Sequence, residues 1–432
     1  MREQVYNSSE VESFFIECCV NHERIIDMIN ELVNFCEKHV FILNSDQILK
    51  LYGLLQESLI LQKKDVTESL LQLVFSIISF DEEFNNELFA DEVFIELLIQ
   101  SFPSKFAIDS LSVLALSNIE NAKLIISYHE KYCFSKYLEL GTQNLDHFIL
   151  FACSFLKYPE LHMFLIKETE SIVEICISDI HYSLKYESLR YIYQAFMNSP
   201  KQDFSNSLVL LTSVSSNKSF FLIFQTSPDE IQMLDLILLI LRELSFKCPN
   251  AFELFSERNL FPFLQISIQS EDDIVICYTC DIIGEIAHCG DDAIQVLVEF
   301  GFIDSLWQII DNDHSIQARN CSVLSLLLFL RSSSDEYWIP IIERDFFSIL
   351  AETMEFISKY ELDHITNVLL GLIYRSLESN CPIIINSISS NDELLFRLQT
   401  IYEENEEPSA TFAYQSIQMV NNHIDRISHS IQ

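Results

Sequence analysis

Apolar residues recur along this chain at helical spacing, in runs separated by short polar breaks, and the runs themselves recur. Three segments carry the repetition most plainly: Asn259-Leu260-Phe261-Pro262-Phe263-Leu264, Gly301-Phe302-Ile303-Asp304-Ser305-Leu306 and Asp345-Phe346-Phe347-Ser348-Ile349-Leu350. They lie 42 and 44 residues apart. Each follows a short amphipathic run and precedes a longer apolar one. A period of this size predicts a helical solenoid, in which each unit needs its neighbours to cover its apolar faces.

The clearest unit runs over residues 271–311. Its pattern predicts a long helix over 273–287, a break at Gly290, a short helix over 291–300, a corner at Gly301 and a medium helix over 303–310. The same order of long, short and medium precedes it at 232–245, 251–257 and 262–268, where Pro262 can open a helix without wasting a hydrogen bond. It follows at 318–330, 340–343 and 346–354, and again at 364–376, 382–388 and 393–402. Upstream the sets are 67–79, 82–89 and 93–100, then 107–119, 122–127 and 134–140, with further long helices at 148–156 and 183–196. The long-helix ends fall near residues 76, 118, 156, 196, 243, 285, 329, 372 and 418, in steps of 38 to 47. The expectation is therefore an all-α, right-handed superhelical solenoid of about nine repeats.

Domain boundaries follow from the interruptions. Residues 1–60 carry helical patterns at 10–19, 22–36 and 46–60 and read as an N-terminal cap or worn repeat. Residues 61–198 hold the first repeats. Residues 199–228 include a Ser- and Asn-rich stretch at 199–219 and read as an irregular repeat with longer loops. The regular repeats fill 229–402. Residues 403–432 comprise a charged break, a helix over 411–420 and a frayed or capping tail from His423.

Composition narrows the picture. Six glycines and nine prolines among 432 residues disfavour a sheet-rich fold with many turns. A content of 49% hydrophobic residues is enough for a large core. The net charge of −38 opposes direct binding to nucleic acid or anionic lipid and suits a basic protein partner, although solubility alone would also explain it. Twelve cysteines without a framework spacing predict free thiols in a reducing cytoplasm or nucleus. Neither a secretory leader nor a membrane span is predicted.

Gly284-Glu285-Ile286-Ala287, followed by Phe300-Gly301-Phe302-Ile303-Asp304-Ser305-Leu306, resembles an armadillo repeat, and Leu114-Ala115-Leu116-Ser117-Asn118-Ile119 is similar to the family's third-helix ending. HEAT repeats have a similar period. The armadillo resemblance implies three helices per unit, with the third helices lining a concave groove that receives extended peptides. In the importin-alpha branch, Trp and Asn four residues apart share one helix face there. Asn118 matches the Asn, but Leu114 stands at its Trp partner. Later pairs are Leu239/Glu243, Asp281/Glu285, Ser325/Phe329 and Val368/Leu372, and no basic cluster opens the chain.

The resulting expectation is a non-enzymatic scaffold or adaptor whose acidic groove holds a basic or extended segment. Candidate contacts are Leu114, Asn118, Leu239, Glu243, Asp281, Glu285 and Phe329. A divergent import adaptor, a chaperone cofactor and a subunit of a large cytoskeletal or ciliary assembly share the architecture, and the oligomeric state stays open. No metal or cofactor is expected. Cys277 and Cys280, with Cys289 nearby, have a zinc or redox spacing but sit within a helical pattern, so buried packing is the expected role. His288 and His364 lack a neighbouring nucleophile, and no phosphate-binding glycine loop occurs. Trp307 and Trp338 are expected in the core, with a partner anchor as the alternative.

Overall fold

The computed structural model describes residues 25–36, 45–80, 89–128, 144–177, 182–198, 231–248, 250–378, 382–404 and 408–430. Every regular element among them is a helix. The chain divides into two compact units, Met1–Ile223 and Phe224–Gln432. The division falls within the stretch read as an irregular repeat, which lies outside the described residues. The helices expected at 10–19 and 134–140, and all but the last residue of the one at 82–89, also lie outside them.

The first unit contains α1 (Ile25–Cys36), α2 (Ser45–Ile60), α3 (Lys64–Phe80), α4 (Glu92–Gln100), α5 (Lys105–Ser117), α6 (Ile119–Ser127), α7 (Leu145–Phe155), a 3-10 helix (Pro159–Leu165), α8 (Ile166–Ile177) and α9 (Tyr182–Met197). Its long helices α3, α5, α7 and α9 pack on one another in chain order.

The second unit is more regular. It opens with α10 (Ile231–Lys247) and continues through α11 (Ala251–Glu257), α12 (Phe261–Ser267) and α13 (Asp273–Ala287). Next come α14 (Asp291–Glu299), α15 (Phe302–Asp311) and α16 (Ile316–Ser332). A 3-10 turn (Asp335–Tyr337) leads to α17 (Ile339–Ile342), α18 (Phe346–Thr353) and α19 (Lys359–Glu378). Finally α20 (Ile383–Ser389), α21 (Asp392–Glu404) and α22 (Ser409–Ser430) repeat the order. The long helices α10, α13, α16, α19 and α22 form a stack in which each packs on the next.

The first residues of the three sequence beats share one backbone state. Asn259, Gly301 and Asp345 have φ of +54°, +75° and +57°. Each is the corner between a short helix and a medium one. Glycine enters this region freely, and Asn and Asp are among the few side chains that tolerate it. The period is thus a repeated reversal of the backbone as well as a repeated apolar pattern.

Hydrogen bonds between neighbouring units carry the same period. Asn144 Nδ2 donates to the Pro103 carbonyl, Tyr158 Oη to Leu116, Ser325 Oγ to Cys280 and Arg397 Nη2 to Met354, across 41 to 45 residues. Gly284 lets α13 approach α16 closely, because a Cβ there would lie 2.8 Å from Leu328 Cδ1. Core positions throughout are Leu, Ile, Val and Phe. Trp307 and Trp338 join them; Trp338 donates its indole N–H to the Leu330 carbonyl at 2.9 Å.

Three segments differ from the sequence pattern. The helix expected over 107–119 stops at Ser117, because the Asn118 side chain accepts the Asn121 N–H and caps α6. The pattern predicts no element between 157 and 182, where the 3-10 helix and α8 lie; the polar run Lys167-Glu168-Thr169-Glu170-Ser171 masks the period. The tail from His423, expected to fray or to cap, continues as helix to Ser430, with the His423 ring 3.0 Å from Asn386 Oδ1.

Candidate partner-binding face

The long helices of the second unit each bury one side in the stack and leave a narrower stripe outside. On α13 that stripe is Ile274, Tyr278, Asp281, Glu285 and His288, at the spacing of one helix face. On α10 the matching positions are Asp235, Leu239, Arg242 and Phe246.

Four of these residues form a charged and aromatic cluster. Arg242 Nε lies 2.8 Å from Asp281 Oδ2. The same guanidinium stands 5.6 Å from the Phe246 ring centre and 5.9 Å from that of Tyr278, within cation–π range. Burial pushes the Asp281 carboxyl above its usual range despite Arg242. Asp235 is raised as well, by burial first and by Asp272 second. Its Oδ1 atom is buried and accepts no hydrogen bond. A carboxylate oxygen shielded from solvent without a donor gains from an incoming one.

The other expected contacts have different surroundings. Leu239 is half-buried beside the cluster. Glu243 is engaged by its own helix, with Lys247 Nζ 3.0 Å from Oε2 and both side chains largely buried. Glu285 is half-buried on the outer stripe of α13. Leu114 and Phe329 are fully buried and belong to the core. Asn118 is exposed, and its side chain serves the α6 cap described above.

For α16 and α19 the sequence register is one residue late. Ser325, Phe329, Val368 and Leu372 face inward, whereas Leu324 and Gly371 are half-exposed and Asn367 is exposed. One residue turns a helix by about 100°, enough to exchange wall for core. The legible signal was Arg331, the only charged residue in the C-terminal half of α16; stepping back by seven gives Leu324 and then Gln317.

The thiols of the Cys-x-x-Cys lie in the stack. Cys280 is fully buried and its thiol is pushed up by burial. Cys277 shares a hydrogen bond with Cys321 on α16, which holds the Cys321 thiol well above its ordinary value. Among the described residues no group of three or more His, Cys, Asp or Glu is placed to hold a metal ion. No single described helix is long and apolar enough to cross a membrane.

No protein-family model matches the chain, and no curated protein does. Among solved structures, the crystal structure of an engineered protein is similar over 95% of this chain and 98% of its own, with a TM-score of 0.71 and 13% identity. Two designed armadillo-repeat proteins, one in complex with a (KR)4 peptide, are similar over 59% and 58% of this chain, with TM-scores of 0.43 and 0.41 and identities of 16% and 14%. The likeness to the engineered protein is one of fold alone.

Proposed function

We propose that the protein is a non-enzymatic binding scaffold, and that the long-helix face of its second unit holds a basic, extended segment of a protein partner. The observation that carries this reading is the buried, unpartnered Oδ1 of Asp235, on the outer stripe of α10 that also carries Arg242 and close enough to Tyr278 of α13 for that ring to feel its charge. A Lys or Arg side chain laid across α10 and α13 would satisfy that oxygen with a charge-assisted hydrogen bond. Its aliphatic stem would pack on the Tyr278 ring. The net charge of −38 would speed the encounter with such a segment.

The reading is tested by the fluorescence anisotropy of short Lys-containing peptides against the full chain. Asp235→Asn and Asp281→Asn should each weaken binding by about tenfold and flatten its salt dependence. A bound cation favours ionised Asp235, so binding releases a proton wherever the free carboxyl is protonated. Affinity should therefore fall as pH drops through the raised Asp235 pKa, at higher pH than an ordinary carboxylate would give. Unchanged affinity in both variants would remove the face from consideration. Selective capture of Lys-rich nuclear-localisation peptides in the same assay would direct the reading towards an import adaptor.

A further inference from the structure

In a chain with 64 acidic and 26 basic residues, one stretch of the long-helix face reverses sign. Arg331 lies at the end of α16, half-exposed, and forms no ion pair among the described residues. Its guanidinium rests on bare backbone of the next long helix: a Cβ on Gly371 of α19 would sit 3.1 Å from Nε and 3.5 Å from Nη2. Gly371 is thus a cradle that sets where this cation points. His288, at the end of α13, and His364, on α19, are close enough to feel the Arg331 charge.

The acids at the start of α19 already hold backbone donors, and Arg375 donates to the Arg331 carbonyl. Asp363, beside His364, accepts the Ser409 N–H at 3.1 Å, and Glu361 accepts the Ser358 N–H at 2.8 Å. Three consecutive long helices therefore bring a fixed cation and two imidazoles to one place.

We infer that Arg331, seated on Gly371 and flanked by His288 and His364, is a subsite for an anionic side chain of the bound segment, a carboxylate or a phosphoryl group. A guanidinium suits both, through paired N–H donors. The inference rests on the proposed binding face and adds a second anchor to it. Packed helices lie about 8–10 Å apart, so two steps along the stack from α10 and α13 to α16 and α19 cover about 20 Å; Arg331 also lies about eleven residues further along its helix than the position equivalent to Asp235, about 16 Å at 1.5 Å per residue. The two offsets combine to about 26 Å, and an extended segment rising about 3.3 Å per residue then separates its basic and anionic side chains by about eight residues.

Two measurements test it. Inorganic phosphate, titrated against the full chain, should shift the imidazole NMR signals of His288 and His364 and raise their pKa values. Arg331→Gln should abolish that response, and Gly371→Ala, which displaces the guanidinium without removing it, should weaken it. Peptides with Lys followed about eight residues later by Glu, phosphoserine or Gln should then bind in unequal order. Preference for Glu or phosphoserine over Gln by about tenfold, lost in Arg331→Gln but retained in Asp235→Asn, supports the subsite, and the two anionic arms distinguish its sources. Unmoved histidine signals, or equal binding of all three peptides by the unaltered protein, overturn it. A phosphate response without binding of any Lys peptide would sink the basic-segment reading and leave the anion subsite standing.

Discussion

Single backbone states set where this chain turns. Gly301, Asn259 and Asp345 stand at equivalent corners with positive φ, so a Cβ is a cost at each. Gly301→Ala should destabilise the second unit by about 1 kcal/mol, whereas Asn259→Gly and Asp345→Gly should be neutral or slightly stabilising. Urea unfolding followed by circular dichroism measures all three. Two of these corners were legible in advance only as members of a period, since Asn and Asp do not announce a left-handed residue as Gly does. Titration acts at this scale too. His288 and His364 are held below their ordinary pKa of 6.5 by burial first and by Arg331 second. The folded protein then binds fewer protons than the unfolded chain below about pH 6.5, so the stability tied to these neutral rings is present above that value and lost as pH falls beneath it. The urea midpoint should drop between pH 7.5 and 5.5, and by less in Arg331→Gln; an equal drop in that variant would remove the arginine from the account.

Helices are joined to their neighbours by acids that cap at a distance. Asp273, in the first turn of α13, accepts the Ser315 N–H at 3.1 Å just before α16 begins. Asp363, in the first half of α19, does the same for Ser409 at the start of α22. Each carboxylate supplies from the preceding repeat what an N-cap side chain supplies locally. Asp363→Ala should cost about 1 kcal/mol and increase amide exchange in the first turn of α22 more than elsewhere; uniform exchange would contradict the capping role. Helix order in the second unit was legible because apolar spacing, Gly301 and Pro262 agree. The outward face was less so. The C-terminal half of α16 is apolar almost all round, and its core and outer positions differ by one step of the helix, a distinction that hydrophobicity does not record. Of the cluster on α10 and α13 only Asp281 was legible, for another reason: members on the two helices are 32 to 46 residues apart, and only packing shows that α10 and α13 bring them together.

Among the described residues of the second unit, the hydrogen bonds that join one repeat to the next reach no further than the adjoining repeat, up to 46 residues away. Such an array resembles a line of coupled blocks more than a single cooperative body, and its blocks can open separately. A ligand anchored at Asp235 and Arg331 would bridge α10 to α19 and tie together repeats that the chain itself links only in pairs. Binding should therefore show itself in the shape of the melting curve. Separate transitions of the free protein should merge into one when the doubly anchored segment is present, and should stay separate with a segment held at one end only. The period that builds the scaffold thus leaves it divisible, and its partner would supply the long-range cooperativity that the fold lacks.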